Sequence, residues 1–126
     1  MAVCLLGAAF ANQDVLEIAR SYEDGGGYDK TWKSSGVPEE IQFKDERILA
    51  KGNDGTYCCG YTFAVAMKVA TARGLLREKP VEEVRRFQKQ WYGATEESAE
   101  TQCAFASEKL GVGKVVKAKD AQPGDF

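Results

Sequence analysis

The order of hydrophobic patterns predicts an α+β domain whose helical part comes first and whose sheet begins only near the C-terminus. Three observations carry this expectation. Apolar residues recur at helical spacing in several stretches between Asp14 and Leu110. One of these, Gly60 to Ala72, is apolar on nearly every face. The two-residue alternation of a strand starts only at Lys114. With 126 residues, 44% of them hydrophobic and 10% aromatic, the chain has material for one core and one domain.

Val15, Leu16, Ile18, Ala19 and Tyr22 mark a short amphipathic helix that ends in Gly25-Gly26-Gly27. Tyr28 to Gly55 holds Pro38, scattered charges and little apolar material beyond 41–43 and Ile48-Leu49, and reads as loop with room for one short strand. After the turn Asn53-Asp54-Gly55, the run Tyr61, Phe63, Ala64, Val65, Ala66, Met67, Val69 and Ala70 predicts a central buried helix that Gly74 stops. Pro80 suits a first helical position, and Val81, Val84, Phe87 and Trp91 form one stripe ending near Gly93. Thr95 is placed to cap a last helix, with Glu96 and Glu97 in its first turn. Its inner face would be Ala99, Cys103, Ala106 and Leu110, and Gly111 closes it. Lys114 to Lys119 reads as a strand beside the buried helix, Asp120 to Asp125 as a Pro-Gly turn, and Phe126 as the start of another apolar element. The expectation is that these residues are the front part of a domain whose further strands follow Phe126.

Seventeen basic residues against 19 acidic ones leave a net charge of -2 with no long block of one sign, which argues against a nucleic-acid partner. The apolar stretches fall short of the ~20 residues of a spanning helix, so no membrane-spanning segment is expected. Met1 to Ala11 is uncharged and ends in Ala9-Phe10-Ala11, the small-x-small pattern of a cleavage site. Residues 1–11 therefore read as a signal-peptide remnant before a domain of 12–126, and the protein as secreted or extracytoplasmic. A buried first helix is the alternative. Without the leader, Cys58, Cys59 and Cys103 remain, an odd number that leaves at least one thiol unpaired within the chain.

The informative segment is Asp54-Gly55-Thr56-Tyr57-Cys58-Cys59-Gly60, where a turn delivers cysteine to the first turn of the buried helix. Unpaired N–H groups and the positive end of the macrodipole favour an anionic sulfur there and supply donors for a developing oxyanion. Gly60 permits close approach of backbone or substrate. Against this stands the structural reading: cysteine is often buried as a small hydrophobe. Cys103, on an apolar stripe, is most simply such a core residue; a disulfide to Cys59 is the alternative, which sequence alone does not establish. Zinc is disfavoured, because there is no histidine, no C-x-x-C spacing, and adjacent cysteines poorly supply two tetrahedral corners. Tyr28 and Trp32 are aromatics that either line a substrate cleft or anchor their loop.

Cys58-Cys59-Gly60 before an apolar helix resembles the Cys-Ser-Gly nucleophile motif of NlpC-type cell-wall cysteine peptidases. Ala121-Gln122-Pro123-Gly124-Asp125-Phe126 is similar to the turn that opens that family's central sheet, and Ile18 to Tyr22 to its first helix. The resemblance implies a papain-like fold, with Cys58 as nucleophile, Cys59 as the fallback, and a histidine on a strand beyond Phe126. It also implies no cofactor and a peptide or cell-wall substrate cleaved by acyl transfer. Tyr57 stands where the family usually has aspartate, Cys59 where it has serine, and the helical pair between Pro80 and Leu110 lengthens the interval, which suggests a divergent branch. Because the 126 residues contain no histidine, the chain alone is expected to be inactive. The competing functions are a non-catalytic exported binding module that keeps the fold, and another acyl-transfer enzyme of the same fold, an amidase or transglutaminase-like protein.

Overall fold

In the computed structural model, which describes residues 2–5 and 12–126, helix α2 (Cys58–Ala72) runs through the centre of the molecule. Its Gly60, Phe63, Ala64, Val65, Ala66, Met67, Val69 and Ala70 are buried, as an all-round apolar helix requires. Helix α1 (Gln13–Arg20) packs on it, burying Val15. Helix α3 (Val81–Trp91) starts directly after Pro80 and buries Val84, Phe87 and Trp91, the stripe read from the sequence. Phe63 of α2 meets the rings of Phe87, Trp91 and Tyr92 at centroid distances of 5.6, 6.1 and 6.0 Å. These offset and edge contacts join α2 to α3 more strongly than their shared area alone.

The last helix departs from expectation. A short 3-10 turn (Glu96–Ser98) precedes α4 (Gln102–Leu110), and the two are separate. The Thr95 hydroxyl bonds the Ser98 hydroxyl at 2.7 Å instead of capping a backbone N–H. Gln102, at φ 37°, also interrupts the helical path. Ala99 is consequently exposed, while Ala106 and Leu110 are buried and Cys103 is half-buried. Gly111 closes α4 at φ 76°, the left-handed conformation that favours glycine.

The loop before α2 contains a hairpin rather than a single strand. Strands β2 (Ile41–Phe43) and β3 (Glu46–Leu49) pair antiparallel. Lys44 and Asp45 turn between them at φ 48° and 63°, as the two central residues of a type I′ turn do. Strand β4 (Gly113–Val116) is shorter than the expected 114–119, because Ala118–Asp120 forms a 3-10 turn. It packs against α4 and β1 (Ala2–Leu5), not beside α2 as expected. The sheet thus opens the described chain as well as closing it, which corrects the helices-first order. Val3 pairs with Val115 on one side and exchanges both backbone hydrogen bonds with Phe126 on the other, at 2.8 and 2.9 Å. Residues 2–5, which the sequence assigned to a leader, therefore sit between β4 and Phe126. The expected cleavage motif Ala9-Phe10-Ala11 lies outside the described residues.

One polar network ties these parts together. The Arg73 side chain, 6% exposed, ends α2 with Nε and Nη2 on the two Asp14 carboxylate oxygens at 2.8 and 2.7 Å. It also donates to the Leu5 carbonyl (2.7 Å) and to Asn12 Oδ1 (3.2 Å). The Asn12 amide donates to Asp125 at 2.6 Å, and Asp125 in turn accepts the Gln122 N–H. The Pro-Gly-Asp turn is thereby fixed to both α1 and α2. No helix among the described residues is long and apolar enough to cross a membrane.

Candidate active site

Tyr57 is extended, at φ -139° and ψ 169°, and Cys58 is the first helical residue of α2. The first helical bond runs from the Tyr61 N–H to the Tyr57 carbonyl, so the N–H groups of Cys58, Cys59 and Gly60 precede the ladder. No side chain caps them. Cys58 is exposed at the start of a helix whose middle is buried, Cys59 is half-buried, and all four cysteines are free thiols. Burial pushes the Cys59 thiol up and the neighbouring Cys58 sulfur adds to this, while the N–H groups of Cys59 and Gly60 pull it down. Burial likewise pushes Cys103 up.

What holds this helix start in place has no local signal in the chain. The segment 34–36 lies across it. The Tyr57 hydroxyl donates to the Ser34 carbonyl and the Tyr92 hydroxyl to the Ser35 carbonyl, both at 2.6 Å, and the Tyr57 N–H reaches the Gly36 carbonyl at 3.3 Å. Gly60 is where the two backbones touch, since a Cβ there would lie 2.3 Å from the Gly36 oxygen. The close approach inferred from Gly60 is thus made by the protein's own backbone. Upstream, Tyr28 forms a parallel bridge with Thr56. Asp29, 2% exposed, accepts the Thr31 hydroxyl and N–H at 2.6 and 2.8 Å and the Ser34 hydroxyl at 3.1 Å. Those donors, the Thr31 hydroxyl foremost, hold its carboxyl below the usual range.

The structure keeps Tyr28 and Trp32 at the surface, 53% and 66% exposed, so neither anchors its loop by burial. On the far side of the helix start, the Thr62 hydroxyl donates to the Cys58 carbonyl at 2.8 Å and accepts the Trp91 indole N–H at 3.1 Å. Trp91 stacks edge-on with Phe126 at 5.2 Å. Phe126 is therefore linked through two side chains to the residue that carries the exposed thiol.

Burial, followed by the negative charge of Cys59, Asp29 and Cys58, pushes the Tyr57 hydroxyl up to about 12. Burial raises Tyr92 further. The Tyr57 phenol is then a fixed donor to the 34–36 segment, not a base. Replacing Tyr57 with phenylalanine is expected to cost about 1 kcal/mol, the usual worth of one such bond, in a urea unfolding curve. A neutral result would mean that the Ser34 carbonyl finds water in its place.

A cleft of about 1130 Å³ adjoins this region, bounded by Arg20 to Gly27 on one side and by 51–53, Gly55, Thr56 and Tyr61 on the other. It touches the residues flanking Cys58 in sequence rather than Cys58 itself. Compared with protein-family models, curated proteins and solved structures, the chain matches none of them.

Proposed function

We propose that the protein is a secreted cysteine hydrolase of the NlpC type, with a papain-like fold, that cleaves peptide or amide bonds, most simply those of bacterial cell-wall peptides. The observation that carries this reading is the exposed Cys58 at the first position of a buried helix, beside three N–H groups outside the helical ladder. The Cys58 thiolate attacks the carbonyl carbon, the helix-start N–H groups receive the oxyanion, and the amine leaves with a proton, forming a thioester that water hydrolyses. The proton carrier is an imidazole, and the 126 residues contain none. In this reading the imidazole stands on a strand beyond Phe126, a residue connected to the helix start through Trp91 and Thr62. A second reading is an exported binding module that keeps the fold without the chemistry; it holds if no histidine is supplied from outside these 126 residues.

The 126-residue chain alone is expected to release no product from peptide amides, because Tyr57, Tyr92 and Cys59 all hold their protons near neutral pH. Iodoacetamide should nevertheless alkylate Cys58 ahead of Cys59 and Cys103, since it alone of the three is exposed and burial raises the other two. Peptide mapping by mass spectrometry reads the order. Cys103 labelled first, or Cys58 inert, would remove the nucleophile; rapid cysteine-dependent hydrolysis by this chain would remove the need for an outside base.

A further inference from the structure

We infer that the cleft between Gly25-Gly26-Gly27 and the segment 51–56 is a binding site for the main chain of an extended peptide that leads toward Cys58. This inference rests on the hydrolase reading for its direction, and on the cleft alone for the ligand.

Position is the first argument. Thr56 and Tyr61 both line the cleft. Cys58 lies between them in sequence, and Tyr61, three residues on, falls on the same side of α2 as Cys58. A ligand filling the cleft along Thr56 therefore ends beside the first turn of the helix.

The chemistry of the walls is the second. The Gly27 carbonyl accepts the Thr56 N–H at 3.1 Å, and a Cβ on Gly55 would sit 2.5 Å from that carbonyl, so the two walls meet backbone to backbone at the cleft floor. Above that contact, nothing lies within 4 Å of where a Cβ of Gly25, Gly26 or Gly27 would be. Among the described residues, the carbonyls of Gly25 and Gly26 and the N–H of Gly27 make no hydrogen bond. Open backbone donors and acceptors without side chains are groups that the main chain of a peptide can bond one by one; with Gly25 and Gly27 at φ 86° and 82° the wall is a looped cradle and not a strand edge. The two tyrosine hydroxyls of the lining are already engaged. The Tyr22 hydroxyl is bonded to Glu39 at 3.0 Å, and the Tyr61 hydroxyl to the Ala19 carbonyl. The rim carries both signs, Arg20 and Lys51 against Glu23 and Asp24, which disfavours a polyanion and suits a peptide of little net charge.

The test uses the 126-residue chain and three probes: an acetylated tetra-alanine amide, the same peptide bearing a C-terminal iodoacetamide, and iodoacetamide itself. The unreactive peptide should move the amide resonances of Gly25 to Gly27, Asn53 and Thr56. The peptide reagent should alkylate Cys58 roughly tenfold faster or more than iodoacetamide at equal concentration, through the raised local concentration that binding gives. Gly26→Trp and Asn53→Trp, one on each wall and both at exposed positions, should abolish that advantage and leave the iodoacetamide rate unchanged. Resonance shifts confined to Tyr28 and Trp32, or no shifts together with equal rates for the two reagents, would overturn the proposal. Shifts at Gly25 to Gly27 with Cys58 inert to both reagents would support the peptide site and remove the nucleophile instead.

Discussion

Gly60→Ala is expected to lower stability by roughly 2 kcal/mol and the melting midpoint by several degrees. The new Cβ would stand 2.3 Å from the Gly36 oxygen, 2.4 Å from its carbonyl carbon and 2.8 Å from the Ser35 oxygen. All three are backbone atoms held from the other side by Tyr57 and Tyr92, so they cannot swing away as a flexible side chain would. Overpacking of this kind costs about 1–3 kcal/mol or more, and the better helix propensity of alanine offsets at most ~1. Gly26→Ala is the control: nothing lies within 4 Å of its Cβ, and the change should stay within about 0.5 kcal/mol. Thermal unfolding of the two variants side by side reads the contrast. Equal midpoints would mean that segment 34–36 yields freely, and the rigid helix start would fall with that result. If the segment moves, the Cys58 alkylation rate should change in the Gly60 variant and not in the Gly26 variant.

Asp14→Asn should cost about 3 kcal/mol near neutral pH, and the cost should shrink in acid. The Arg73 guanidinium is buried and Asp14 is its counter-charge; without it, the cation keeps the Leu5 carbonyl and the Asn12 oxygen as partners. Asp14 is itself 39% exposed, and solvent screening keeps the cost at the low end for a broken buried pair. Hydrogen bonding from Arg73 holds the Asp14 carboxyl below its usual range, and its partial burial only partly opposes this. A depressed folded-state value means that the pair's contribution is complete above the ordinary carboxylate range and is lost as pH falls toward the folded one. Urea unfolding of both proteins across that window should therefore converge at low pH. A difference that stays constant from neutrality into acid would assign the loss to packing. Arg73→Met removes the charge itself and should show a weaker pH dependence.

Much of the helical frame was legible because its signals are local. The apolar run from Tyr61 to Ala70 dictates burial whatever surrounds it, and Pro80 and Gly111 act on their own backbone. The hairpin was less visible, because Lys44 and Asp45 adopt left-handed angles that asparagine and glycine usually signal. Thr95 was misread for a similar reason: its hydroxyl could serve either the Glu97 and Ser98 backbone or the Ser98 side chain, and only the fold chooses. The candidate site divides the same way. Cys58 and Gly60 were readable from their place before an apolar run. The Ser34 to Gly36 segment that crosses them, the buried Asp29 and the Arg73 network were not, because each joins residues far apart in sequence whose pairing no periodicity records.

The pairing of Ala2 with Val116, and of Val3 with Phe126, has a consequence in time. A strand made first cannot close its ladder until its partners have been synthesised, and at about 5–20 residues per second that takes on the order of ten seconds. Through that interval the first residues are unpaired, while the more local contacts of α2, α3 and α4 are free to form.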